Sequence, residues 1–116
     1  MIIYSIHEFQ KDCDRLIQKQ YPYLRMIMRQ KGNPFHTQSK LNVWRRSYSV
    51  FELNDIGAGE ADSIESFVKQ ADLLWGIEVT VLRRMRNTWL PVKHTGHLSF
   101  EQQNKIGLEM ALSEML

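Results

Sequence analysis

One cysteine, Cys13, in 116 residues leaves no disulfide framework and no cysteine-based zinc site within one chain. A lone thiol fits a reducing compartment. No apolar run approaches the roughly 20 residues needed to cross a bilayer. The first residues, Met1 to Ser5, turn polar at His7 and Glu8, without the basic start and apolar stretch of a secretory signal. A soluble, cytoplasmic protein without membrane attachment is therefore expected. Internal repeats and low-complexity tracts are lacking too. The length suits one domain, residues 1–116, and is too short for two ordinary ones. Apolar residues at 43% and charged ones at 24% are those of a globular chain, which excludes disordered and fibrous classes.

Charge of one sign is also scarce, at a net +2, but it is unevenly spread. Residues 1–50 hold nine Lys and Arg against three acids, and residues 51–80 hold one against seven. Residues 81–100 then hold four against none. Such segregation can create faces of opposite sign that steer partners.

What is present begins with a well-signalled helix. Ser5 and Glu8 have capping-box spacing. Ile6, Phe9, Cys13, Leu16 and Ile17 follow as one apolar stripe of helical period. Pro22 to Gln30 reads as a second, short helix, with a loop at Asn33-Pro34. Residues 41–53 are rich in Val, Trp, Tyr and Phe and read as a strand. The competing reading there is a helix, because Leu41, Trp44, Tyr48 and Phe51 also recur at helical spacing. A glycine-bearing loop spans Asn54 to Gly59. A helix over 62–75 starts at Asp62 and Glu65, ends at Gly76, and carries the stripe Ile64, Phe67, Val68, Ala71, Leu74 and Trp75.

Ile77, Val79 and Val81 alternate with Glu78 and Thr80 as a half-buried strand does. Arg83 to Asn87 reads as a turn and Thr88 to Val92 as the returning strand. A last helix starts at Ser99 with Gln102 closing a capping box. Leu108, Ala111, Leu112 and Met115 line one side of it, and Gly107 requires something to pack closely there. The order α-α-β-α-β-β-α describes an α+β domain, a small, largely antiparallel sheet of about three strands packed against three to four helices.

Each chemical motif has a plainer explanation. His94 and His97 lack a third metal ligand nearby, and Gly96 between them argues for a turn. Cys13 lies on the apolar stripe, where a thiol is an inert hydrophobe. Glu52, Asp55, Glu60, Asp62 and Glu65 do not match a calcium loop, and three of them suit a helix start. Gly57-Ala58-Gly59 is followed by acids that would repel a phosphate. No cofactor and no metal are expected.

The basic and aromatic residues are what remains. Trp44, Arg45 and Arg46 lie on one expected strand, and Arg84, Arg86 and Lys93 in or beside the later hairpin. Arginine and tryptophan anchor protein interfaces, and arginine with aromatics also grips single-stranded nucleic acid. Adjacent strand residues face opposite ways, so one of Arg83 and Arg84 must lie beside the core and find a partner. With no activated nucleophile, acid–base pair or cofactor loop in view, a non-enzymatic binding protein is expected. It would occupy a protein partner, as inhibitors, immunity proteins and phage or mobile-element accessory proteins do. A nucleic-acid-binding module or transcriptional accessory factor is the alternative. Ile106, Met110 and Leu116 add apolar surface beside the main line of the last helix, so a homodimer through that helix is expected.

Overall fold

The computed structural model describes residues 3–115. Its first helix, α1 (Ile6–Gln20), starts as its cap requires, with the Glu8 amide donating to Ser5 Oγ at 3.1 Å. Phe9, Cys13 and Ile17 of the stripe are buried, with Ile6 and Leu16 packed beside them.

The next element corrects the expected helix at Pro22–Gln30. It is a strand, β1 (Leu24–Gln30). Leu24, Met26 and Met28 are buried and alternate with exposed Arg25, Ile27 and Arg29. Leucine, methionine, arginine and glutamine are intrinsically helix formers, so local preference points the wrong way. Tertiary bonds override it. The far edge of β1 is served by α1, where Met26 N–H donates to Asp14 Oδ1 at 3.0 Å and Met28 N–H to Gln10 Oε1 at 2.6 Å. Asp14 and Gln10 are one helical turn apart, so α1 lies along this edge and closes it to other strands.

The expected loop at Asn33-Pro34 and the strand at 41–53 are corrected together. Both belong to helix α2 (Pro34–Ser47) or its exit. Asn33 Oδ1 accepts from the Phe35 amide at 2.9 Å, and Pro34 stands where its missing N–H is harmless. Thr37 and Leu41 are buried and Trp44 packs on the core. A strand would have sent Leu41 and Trp44 to opposite faces. The helical alternative holds because one core face collects these residues. After α2, Phe51 is buried, a 3-10 turn covers Leu53–Ile56, and Gly57 takes the left-handed conformation at φ 79.

Helix α3 (Ile64–Trp75) is capped by Ser63, which accepts from Ser66 N at 3.1 Å, not by Asp62. Asp62 instead accepts from Gly59 N at 2.8 Å. Gly76 closes the helix at φ 65, as expected. Ile64, Phe67, Ala71 and Trp75 are buried, whereas Leu74 is exposed. Strand β2 (Ile77–Met85) runs four residues beyond Val81, so the expected turn at Arg83–Asn87 shrinks to Arg86-Asn87. Strand β3 (Thr88–Pro91) returns against it. The sheet is antiparallel in the order β1-β2-β3, with Leu24 opposite Arg83 and Gln30 opposite Ile77.

Helix α4 (Phe100–Glu114) has the expected capping box, Gln102 N to Ser99 Oγ at 3.1 Å and Ser99 N to Gln102 Oε1 at 2.9 Å. Its buried face is Phe100, Gln103 and Gly107, not the expected Leu108, Leu112 and Met115. Leu112 is 54% and Met115 83% exposed. Two contacts set this rotation. Gly107 lies against Tyr23, and fully buried Gln103 accepts from Arg83 Nη1 at 2.7 Å while donating to the Thr95 carbonyl at 2.5 Å. Leu116 lies outside the described residues.

The fold class is therefore α+β, with four helices and a three-stranded antiparallel sheet. The element order is α-β-α-α-β-β-α, differing from the expected order by the exchanged second and third elements. Helices α1, α3 and α4 pack on the sheet, and α2 packs on α1 and α3. No helix among the described residues is long and apolar enough to cross a membrane.

Candidate interaction surface

The helices occupy one side of the sheet, so the alternate residues of each strand face away from them. On β1 these are Arg25, Ile27 and Arg29, on β2 Glu78, Thr80, Leu82 and Arg84, and on β3 Trp89 and Pro91. Register sets them side by side, with Arg25 opposite Leu82 opposite Pro91, Ile27 opposite Thr80, and Arg84 opposite Trp89. Ile27 is 50% exposed in the middle of this surface.

Its arginines differ in how they are held. Arg25 stands over the Trp89 ring, 5.6 Å from its centroid, while its Nη2 reaches Asp14 Oδ2 at 3.2 Å. Arg29 bonds Glu78 across the strands at 2.7 Å. Arg84 donates from Nε to the Arg86 carbonyl at 3.4 Å, and Arg86 occupies the hairpin turn at φ 57. Neither Arg84, Arg86 nor Lys93 has a carboxylate within 4.0 Å among the described residues. Arg84 shares its face with Glu78 and Thr80, as the alternation predicts. Arg83 turns inward and finds Gln103, as the burial argument requires.

Compared with protein families, with curated proteins and with solved structures, this chain matches none.

The structure separates the six residues singled out in the sequence. Arg84 and Arg86 lie together at the hairpin turn, Lys93 follows β3 at its far end, level with Thr80, and Trp44, Arg45 and Arg46 lie on α2. Trp44 stacks on Tyr48 at 4.2 Å and meets Trp75 edge-on at 5.4 Å, so it is half-buried against the core. Arg45 sits over the Tyr4 ring and donates to the Ser49 carbonyl at 2.7 Å, and Arg46 donates to the Asn42 carbonyl at 3.4 Å. Trp44 meets Trp75, two residues before β2 begins, whereas Arg84 lies seven residues beyond that start, roughly 23 Å along the strand at ~3.3 Å per residue. A single strip joining Arg45 or Arg46 to Arg84 and Arg86 is therefore not formed. Conversely, Arg25, Ile27 and Arg29 belong to the surface, and their signal was the alternation Leu24-Arg25-Met26-Ile27-Met28-Arg29.

The remaining candidates have structural work. Asp55 accepts from Glu52 N at 2.7 Å and Asp62 from Gly59 N, so these acids hold backbone turns. Among the described residues no group of three or more His, Cys, Asp and Glu is placed to hold a metal ion. Burial pushes the Tyr21 phenol up to about 12. Burial, with the Asp12 carboxylate bonded at 2.6 Å, raises Tyr4 further. Burial also raises the Cys13 thiol, and the neighbouring Asp12 and Asp14 charges add to this. Cys13 should consequently react with an aromatic disulfide reagent at least ~100-fold more slowly native than unfolded, the factor set by the opening free energy. Equal rates would place the wrong face of α1 inward.

Proposed function

We propose that this chain is a non-enzymatic binding protein that docks a protein partner on the outer face of its sheet. The observation that supports this is the composition of that face. Ile27, Leu82, Pro91 and Trp89 form an apolar and aromatic centre, with arginines around it, the pattern of an interface core with a polar rim. Asp14 and Glu78 already hold Arg25 and Arg29, so these arginines meet a partner with their charge balanced and their rotamers ordered. A phosphate backbone would gain little from such neutralised cations. A folded partner gains preformed planar donors beside a surface it can dehydrate.

The test is capture from native lysate by immobilised wild type and two variants, Ile27→Asp and the double reversal Arg84→Glu, Arg86→Glu. A protein retained by wild type and lost with both variants is expected. Melting temperatures should stay within a few degrees of wild type, since these side chains are exposed. Salt should weaken the complex only slightly. Capture of nucleic acid instead, with a log–log salt slope of about −2 to −3 for three neutralised phosphates, would replace this reading with nucleic-acid binding. Undiminished capture by both variants removes the outer face as the site.

A further inference from the structure

The third-strand position of the sheet is occupied along only half of β2. β3 pairs with β2 from Met85 to Leu82, and beyond it Val92 N–H still donates to the Val81 carbonyl at 2.9 Å. Lys93 and His94 then turn the chain away, with His94 in the left-handed region at φ 61. Residues 77–80 of β2 consequently have β1 on one side and, among the described residues, no strand on the other.

The ladder dictates where the main-chain groups of that segment point. The amides of Met26 and Met28 serve Asp14 and Gln10, so those two residues direct their backbone bonds away from β2. Their opposite numbers, Val81 and Val79, must then direct theirs away from β1. Val81 meets Val92 in this way. The N–H and C=O of Val79 point together into a groove, and no hydrogen bond from a described residue reaches either. Val79 is only 4% exposed, and a covered donor and acceptor without partners are costly.

The groove encloses about 630 Å³ between α3 and this edge. Val68, Ile77, Val79 and Val92 give it apolar walls, and Lys69 and Lys93 stand at its rim. Asp72 is engaged by Lys31 at 3.0 Å and Glu78 by Arg29, whereas Lys69 and Lys93 have no carboxylate within 4.0 Å among the described residues. Glu65 lies at the far end, against Gly96. The other edges of the sheet are unsuited to a strand. α1 closes that of β1, and that of β3 is four residues long and contains Pro91, which has no amide hydrogen.

We propose that this groove receives a short extended segment of a protein partner, which joins the sheet as a strand and pairs main chain to main chain with Val79. Three to four residues, about 10–13 Å, fit the open stretch. The residue opposite Val79 shares its face and lies on Val68, so it is apolar; its immediate neighbours turn to the outer face beside Glu78 and Thr80, and acids are favoured toward the ends of the segment, where it passes the rim lysines. Main-chain pairing supplies affinity in this mode, and the alternate side chains supply selectivity. The inference does not rest on the outer-face reading, because the residues differ.

The probe is a library of phage-displayed random heptapeptides selected on the full chain, with the enriched peptides then synthesised. Enriched sequences should carry an apolar residue with acids toward the ends of the segment. N-methylation of the single amide that pairs with Val79 should weaken binding at least about tenfold, as expected for a buried main-chain bond lost with its partner left unpaired. Val68→Trp, which fills the groove, should weaken it similarly, and Lys69→Glu with Lys93→Glu should weaken it further. Amide exchange at Val79 should slow in the complex. The Arg84→Glu, Arg86→Glu variant should bind the peptides as wild type does, which separates this site from the outer face. Three results overturn the proposal: peptides whose binding survives N-methylation at every position, peptides lost on outer-face reversal but not with Val68→Trp, or no enrichment above a Val68→Trp control. The N-methylated peptides test it even if Val68→Trp fails to fold.

Discussion

Phe9→Ala should cost the domain about 3–5 kcal/mol, with the upper half of that range expected. Phe9 is fully buried, and its ring lies 4.9 Å from Trp75, 5.8 Å from Tyr4, 6.1 Å from Phe51 and 6.5 Å from Trp44. These four rings come from α3, the segment before α1, the exit of α2 and α2 itself. Removing Phe9 therefore loosens four segments at one point. Rigid rings in edge-on contact collapse poorly into a cavity, and the cost of truncation grows with the volume left unfilled. Domains of this size are stable by roughly 5–15 kcal/mol, so about a quarter or more of the total is at stake. At about 4 °C per kcal/mol, the melting temperature should fall by about 16–20 °C. Urea titration checks this directly, with a lower midpoint at an unchanged slope. A loss below ~1.5 kcal/mol would mean that the cluster is not packed around Phe9.

Gly107→Ala should destabilise the protein by about 1–3 kcal/mol, although alanine is the better helix former by ~1 kcal/mol. The competing effect is contact. A Cβ at 107 would stand 2.5 Å from the Tyr23 Cβ and 3.2 Å from its Cγ. Those atoms are the root of the side chain, not a flexible end, so rotamer change cannot relieve the clash. The Tyr23 backbone is tied as well, since its amide donates to Asn104 Oδ1 at 2.9 Å and its carbonyl accepts from Arg84 N at 3.0 Å. α4 must therefore move outward, which stretches the Gln103 bridge to Arg83 and Thr95. Thermal unfolding of the single variant decides the matter. A higher melting temperature would show that propensity wins and that α4 does not approach β1 this closely.

The two results bear on function through different parts of the molecule. Phe9 holds α1 in place, and α1 supplies Asp14 both to the Met26 amide and to Arg25 of the outer face. Gly107 holds α4 against Arg83, the inward neighbour of Arg84. A partner-binding defect in Phe9→Ala that is absent from Gly107→Ala would place the essential contacts near β1.

Much of the architecture could be read along the chain. Ser5 with Glu8, Gly76, and Ser99 with Gln102 mark helix ends because a cap bonds to amides or carbonyls within a few residues of itself. The stripe from Phe9 to Ile17 and the alternation from Ile77 to Val81 were legible because burial on one face imposes a period. Arg84 was placed on the exposed side of β2 by the same alternation. These are local rules, satisfied by neighbours already present in the sequence.

What the tertiary structure decided depends on distant partners. Residues 24–30 are a strand because β2, some fifty residues later, pairs with them and α1 bonds their other edge, against their own helical preference. Residues 41–47 are helical because Phe9 and Trp75 receive Trp44 from one side, against the aromatic composition that favoured a strand. The inward face of α4 follows from the close approach of Gly107 to Tyr23, which outweighs the larger apolar residues left in solvent. The candidate surfaces are of this second kind. Arg25 beside Trp89, and the Val79 main chain facing a groove, exist only once β1 is in register with the distant β2–β3 hairpin, and register is a property of pairing that no single strand contains.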